Sequence, residues 1–191
     1  GSNGLTMARH ELFGGDYVDR YPETFAPQTN REYVYSGKGR LTDEINIAGQ
    51  SYPLGKLALS PTRTFLPVLK LIFKDFRASI HGIIHNTGGG HSKVLKYCDS
   101  PVQIVKDHLL DIPPIFEIIS KNAGVDWEEM FKVFNMGTRL EIYTDEETAL
   151  EIIRISNLFD IEAGVIGRVE EVRNEVSRVV VSHEDRKLIY Q

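Results

Sequence analysis

From residue 64 to residue 182 the spacing of apolar residues keeps switching between a helical and a strand period, in irregular order and with no repeat. Phe65, Leu69, Ile72, Phe73 and Phe76 recur at helical spacing, which predicts one buried stripe on a helix starting near Thr64. That start leaves Pro67 in the first turn, where its missing N–H costs nothing. Residues 78–85 read as a strand, followed by a glycine run and a short helix towards Tyr97. Residues 101–108 are a second strand, and Pro113 and Pro114 open a helix with Gly124 just past its end. Asp126 with Glu129, and Thr144 with Glu147, have capping-box spacing before two more helices, the second running to about Leu158. Residues 138–143 alternate like a half-buried strand, and 165–172 and 176–182 read as two strands paired with each other. Mixed order of this kind predicts an α+β fold, a mixed β-sheet flanked by helices.

The first sixty residues are different. Ser2-Asn3-Gly4 opens a short helix, with Ser2 or Asn3 placed to accept a bond from a free first-turn amide. Residues 14–60 are rich in Gly, Pro, Tyr and charge without a sustained period, which predicts a long surface excursion with a hairpin between 32–35 and 45–52. Its tyrosines (17, 21, 33, 35 and 52) would suit a subunit contact. Taken as a whole, residues 1–191 are expected to form one domain. With Met7 inside the first helix, the chain is expected to be a piece of something longer.

Composition narrows the function classes. Twenty-two basic against 27 acidic residues give a net charge of −5, not the basic excess of a general nucleic-acid binder. An anionic ligand must then be held by placed donors. No apolar run approaches the roughly 20 residues of a membrane span, and no signal peptide is visible, so a cytoplasmic setting is expected. The lone Cys98 excludes an internal disulfide and reads as a small buried apolar residue.

The strongest chemical signal is His85-Asn86-Thr87-Gly88-Gly89-Gly90 directly after a strand. Three glycines let the main chain turn and present amides to one point, a cradle for phosphate, with Thr87 adding a hydroxyl and His85 at the rim. A plain strand-to-helix turn explains the same residues equally well, and the run matches neither the P-loop nor the dinucleotide fingerprint. Arg63, after Pro61-Thr62, offers a planar fork for phosphate or carboxylate. Asn135, in Phe134-Asn135-Met136-Gly137, reads most simply as a turn residue. Of the six histidines, only His85 and His91 are placed to meet across the glycine turn, which is thin support for zinc, and no metal site is expected.

Taken in order, S-N-G opening a helix, P-T-R, H-x-T-G-G-G, P-P-I-F, F-N-M-G and a late V-I-G-x-V resemble the C-terminal domain of aminoimidazole ribonucleotide synthetase, also called phosphoribosylformylglycinamidine cyclo-ligase. The resemblance runs from Ser2 to about Val169. Selenophosphate synthetase and hydrogenase maturation proteins share the related fold but carry other residues around the glycine turn. The resemblance implies an enzyme that uses ATP and Mg2+ to activate the formyl oxygen of formylglycinamidine ribonucleotide before ring closure in purine biosynthesis. It implies further that the ATP loop and metal ligands lie in an N-terminal domain, with the active site in the cleft between domains and a homodimer for the full-length enzyme. Carried over by position, Ser2, Asn3 and Gly4 would bind substrate and His85 would orient or protonate at the reacting centre. Thr87, Gly88, Gly89 and Gly90 would cradle phosphate, with Arg63 and Asn135 in support.

Three features depart from the family pattern: Gly1 stands where His is usual, 14–60 is longer, and His91-Ser92-Lys93 replaces aromatic and acidic residues. The expectation is that the chain folds alone, holds no cofactor by itself and does not turn over. Its partners would be a small phosphorylated substrate and the N-terminal ATP-binding domain, with no nucleic acid or membrane. A non-catalytic module binding a phosphorylated metabolite or a protein through the same turn is the competing reading.

Overall fold

The computed structural model describes residues 2–60, 63–172 and 176–191, except for the side chains of residues 2–4. Helix α1 (Ser2–Leu12) packs its inner face, including the buried Ala8 and Leu12, against the main core. The cap expected from Ser2 or Asn3 involves side chains outside the described set. After α2 (Asp16–Arg20) and a short 3-10 turn at Arg31–Tyr33 come β1 (Glu44–Ile47) and β2 (Gln50–Pro53). These two strands form a hairpin by themselves around Ala48 and Gly49, both at positive φ, as a two-residue turn that matches strand twist requires. The hairpin expected between 32–35 and 45–52 is therefore corrected: Asn30 accepts the Glu32 amide and bends the first segment into the 3-10 turn.

Nor is 14–60 a surface excursion throughout. Tyr17, Val18, Val34, Tyr35 and Leu54 are buried in the main core, so two of the five tyrosines face inward. The Tyr17 hydroxyl accepts the Leu41 amide, and the Tyr35 amide donates to His10 Nδ1. Large aromatic rings pack from short turns without needing a periodic element to carry them.

Helix α3 (Leu54–Ala58) leads towards α4 (Leu66–Phe76), with Pro67 in the first turn as expected. Val68 and Ile72 are the buried residues of α4, and with Ile80 and Ile152 they form a second, smaller core. The expected stripe is off at Phe73, which is part-exposed beneath the Arg77 guanidinium, while Val68 takes the inward position.

Strand β3 (Ile80–His85) pairs antiparallel with β5 (Leu140–Thr144). Between them the chain passes through a 3-10 helix (Gly90–Tyr97), β4 (Val102–Lys106), α5 (Pro114–Ala123) and α6 (Trp127–Val133). Gly124 closes α5 at φ +64°, and Asp126 caps α6 by accepting the Glu129 amide at 2.9 Å. For α7 (Glu146–Asn157) the cap is Asp145, not Thr144: its carboxylate accepts the Thr148 amide at 2.8 Å and hydroxyl at 2.9 Å. Thr144 still belongs to β5, and its hydroxyl donates to Ser79 O at the entry to β3.

The remaining sheet has the order β6-β4-β7-β8, with β6 (Gly167–Glu171), β7 (Arg178–His183) and β8 (Arg186–Tyr190). Strands β6 and β7 do not pair with each other, contrary to expectation. Both pair with β4, β6 antiparallel and β7 parallel, and β8 completes a hairpin with β7. The unbroken buried run Val179–Val180–Val181 suits a strand flanked on both edges rather than half of an exposed ribbon. With mixed sheets and flanking helices, the fold class is the expected α+β. No helix among the described residues is long and apolar enough to cross a membrane.

Candidate functional site

The bend after β3 is assembled from local rules. The Asn86 amide donates to Arg139 O at 2.9 Å, adding one rung beyond the β3–β5 ladder. The Thr87 amide then turns back to His85 O at 2.7 Å. Gly88, Gly89 and Gly90 follow at φ +67°, +96° and +47°, a succession that side chains with Cβ atoms rarely adopt. They do different work. A Cβ on Gly90 would lie 2.2 Å from Phe131 O, so this glycine lets the chain pack on α6. Gly89 caps the 3-10 helix, and Gly88 lines an open cavity.

Hydrogen bonding around the turn is one-sided. Lys93 Nζ donates to His85 O at 2.9 Å and Thr87 O at 3.0 Å, and Ser92 Oγ donates to Gly89 O at 3.0 Å. Among the described residues, the amides of Gly88 and Gly89 have no acceptor within the chain. Three carbonyls of the turn are thus occupied while two amides are to spare, with an ammonium group beside them. That combination suits an anion. The buried Asn86 Oδ1, under the turn, is an acceptor left without a donor among the described residues. The residues that depart from the family pattern, His91-Ser92-Lys93, are the ones that staple the turn.

The cavity beside Gly88 measures about 170 Å3. Leu5 and Ala8 of α1, His85, Thr87, Asn135 and Arg139 contribute to its wall. This is smaller than the roughly 300–1,000 Å3 of a whole small-molecule pocket and suits a single phosphate-sized group. A larger cleft of about 810 Å3 is lined by aliphatic residues such as Val68, Ile72 and Ile152 and also by charged ones, Lys106, Glu141 and Arg168 among them, with Arg139 common to both. The smaller cavity, not this cleft, meets His85, Thr87 and Gly88 of the turn, which makes it the better place for an anion.

Of the residues singled out from sequence, the structure brings His85, Thr87, Gly88 and Asn135 to one cavity, with α1 as a wall. Ser2, Asn3 and Gly4 lie in the first turn of that helix, ahead of Leu5. Arg63 is exposed and does not line the cavity, and Gly89 and Gly90 stand behind Gly88. Asn135 is a turn residue as its simplest reading had it: its Oδ1 accepts the Gly137 amide at 3.0 Å. Met136 beside it holds a buried side chain at φ +47°. Sequence reasoning missed Arg139, whose position two residues after F-N-M-G gave no separate signal.

It also missed the buried polar group under the turn. Glu141 accepts bonds from Asn86 Nδ2 at 2.7 Å, Lys106 Nζ at 2.6 Å and Tyr143 OH at 2.6 Å. Lys106 donates further to His91 O at 2.9 Å, and His91 Nε2 donates to Asn135 O at 3.0 Å. Burial alone would push the Glu141 carboxyl up, but the Lys106 charge and the hydrogen bonds from Lys106 and Tyr143 hold it below the usual range, so it is anionic. Burial, with Lys106 adding to it, lowers His91 to about 4, and the imidazole is neutral. Tyr143 is pushed up by burial and by Glu141 and stays a donor. His85 is lowered by burial and then by Lys93, which keeps it neutral near pH 7. Among the described residues no three His, Cys, Asp or Glu side chains converge as a metal ion would require.

Fold and site together define an α+β domain built around a donor-rich glycine turn. Residues 42–180 match the family described as AIR synthase related protein, C-terminal domain, and the chain belongs to that family. Along its full length it is 41% identical, over 196 residues, to the phosphoribosylformylglycinamidine cyclo-ligase of Methanococcus vannielii, covering 48% of that protein. The protein of the same name from Methanopyrus kandleri is 34% identical over 176 residues, 92% of this chain and 42% of that one. The chain therefore spans about half the length of these relatives. A crystal structure of the hydrogenase maturation protein HypE from E. coli covers 73% of this chain and 45% of its own at 16% identity and a TM-score of 0.49, too slight a likeness to carry weight.

Proposed function

We propose that the chain is the C-terminal half of an ATP-dependent cyclo-ligase that closes the imidazole ring of formylglycinamidine ribonucleotide, and that the glycine turn holds a phosphate group of that reaction. The observation that carries this reading is the turn itself, with three carbonyls occupied and the Gly88 and Gly89 amides unspent beside a cavity of about 170 Å3. Kinship with the cyclo-ligases supports the choice of reaction.

In this reading the Gly88 and Gly89 amides and the Thr87 hydroxyl bind phosphate oxygens, and Lys93 lends positive charge from behind. ATP with Mg2+ would supply the phosphoryl group that turns the formyl oxygen into a leaving group. The metal ligands and the nucleotide loop would come from the other half of the protein. His85, neutral and at the cavity rim, orients the reacting amidine or accepts its proton as the ring closes. Ser2, Asn3 and Gly4 would approach the same substrate from the start of α1. Holding the amidine nitrogen against the activated carbon supplies the rest of the rate. The setting would be cytoplasmic.

The test is kinetic. In the full-length enzyme, His85→Ala should lower turnover by about a hundredfold or more with the melting temperature unchanged. This chain alone, given ATP and formylglycinamidine ribonucleotide, should release no ADP. A variant that loses only stability, or product formed by the isolated chain, contradicts the reading.

A further inference from the structure

Glu141 is a charged residue on an inward position of β5, and two of its three hydrogen-bond partners, Asn86 and Lys106, lead to the two ends of the glycine turn, while the third, Tyr143, lies on its own strand. On one side it holds Asn86, the residue that enters the glycine turn; Asn86 Nδ2 also donates to Thr138 O at 3.0 Å. On the other it holds Lys106, whose ammonium reaches the carbonyl of His91, the residue that leaves the turn. The His91 ring continues the chain of contacts to Asn135 O, in the second loop that lines the cavity. Its Nδ1 lies 3.7 Å from Glu141 Oε1, beyond hydrogen-bond reach. One carboxylate therefore ties down both shoulders of the turn and, through His91, the loop opposite.

A buried ion pair adds little net stability, because desolvation cancels most of its attraction. What it supplies is a fixed geometry. The glycine run has the least intrinsic rigidity of any stretch in the chain, and unspent amides bind an anion well only if they are already aimed. We infer that Glu141 is a positioning residue for anion binding: through Asn86, and through Lys106 with His91, it clamps the glycine turn so that the unspent Gly88 amide stays beside the cavity, with that of Gly89 next to it. The inference rests on the phosphate reading of that turn, and it assigns to Glu141, Lys106 and Asn86 a role without contact to the ligand.

The experiment uses the 191-residue chain labelled with 15N. Two variants are compared with the wild type: Glu141→Gln, which keeps an acceptor for Asn86 but strands the Lys106 charge, and Glu141→Gln with Lys106→Met, which removes both charges. The readout free of ligand is hydrogen exchange at the Asn86 amide, whose bond to Arg139 O is the rung next to the turn. The second is inorganic phosphate titrated against the Gly88 and Gly89 resonances. The expected result is exchange at Asn86 at least tenfold faster in both variants, with Val180 in the central strand unchanged, and phosphate affinity at least tenfold weaker. In the double variant these losses should persist although thermal stability recovers. Unchanged exchange and affinity in a folded variant would overturn the clamp while leaving the phosphate reading intact. Loss of the fold in both variants would also overturn it, by making Glu141 a core group and nothing more. Wild-type Gly88 and Gly89 resonances that ignore phosphate would instead remove the anion reading on which the clamp depends.

Discussion

Two ion pairs of similar length begin on adjacent residues at the end of β4 and sit in opposite surroundings. Lys106 Nζ sits 2.6 Å from Glu141 Oε1, with both side chains buried. Asp107 Oδ2 sits 2.7 Å from Arg168 Nη1, with the guanidinium largely in water and Glu170 as a second partner. At equal distance, attraction depends on the effective dielectric, which is far higher outside. The inner pair also pays for desolvation, so its presence says little about net stability and much about arrangement. The outer pair ties β6 to the end of β4 in a region already held by a full ladder. Ion pairs of similar length thus join β4 to β5 in one place and decorate a sheet edge in the other.

Breaking the inner pair should have the largest effect. Lys106→Ala leaves the Glu141 carboxylate buried without its cation, and chemical denaturation should show a loss of about 3–5 kcal/mol. A loss under about 1 kcal/mol would mean that water reaches Glu141, and the contrast would collapse.

Next comes pH, because His91 shares the interior with that pair. Its folded pKa of about 4 lies below the ordinary 6.5, so between those values the unfolded chain binds the proton and the folded one does not. Stability is therefore complete above about pH 6.5 and falls as the pH drops towards 4, by about 3 kcal/mol. His91→Gln, which retains a donor towards Asn135 O, should flatten the stability profile across that window. If the wild type is already flat there, His91 is reached by solvent. The smallest effect belongs to the outer pair: Arg168→Ala should leave the denaturation midpoint indistinguishable from wild type, because exposed pairs contribute little and are screened by salt. A measurable drop would show that the surface contact is organised after all.

The contrast also marks what was legible in the sequence. Helices announced by Pro67, by Pro113 with Pro114, by Gly124 and by Asp126 start or stop where those residues put them, because their signals are local. Strand partners were not legible: β6 and β7 each look like half of a hairpin, and only β4 running between them decides otherwise. Likewise the glycine turn is visible as a run of letters, whereas its clamp joins residues 86, 91, 106 and 141, which no short-range pattern connects. Glu141, inside the alternating run 138–143, was the one available sign, and it reads equally well as a solvent-facing position until the fold is known. Tyr17 and Tyr35 misled in the opposite sense, since irregular spacing hides burial as readily as exposure.

The proposed anion site consists of main-chain donors between His85 and His91 that have no acceptor within the described residues. The most direct measurement is the 15N–1H correlation spectrum of the wild-type chain titrated with inorganic phosphate at constant ionic strength. Saturable downfield movement of the Gly88 and Gly89 amide protons, with Thr87 following and the β7–β8 hairpin still, is the predicted result. Amides at 88 and 89 that do not move, or that move no more than those of exposed surface lysines, would contradict it.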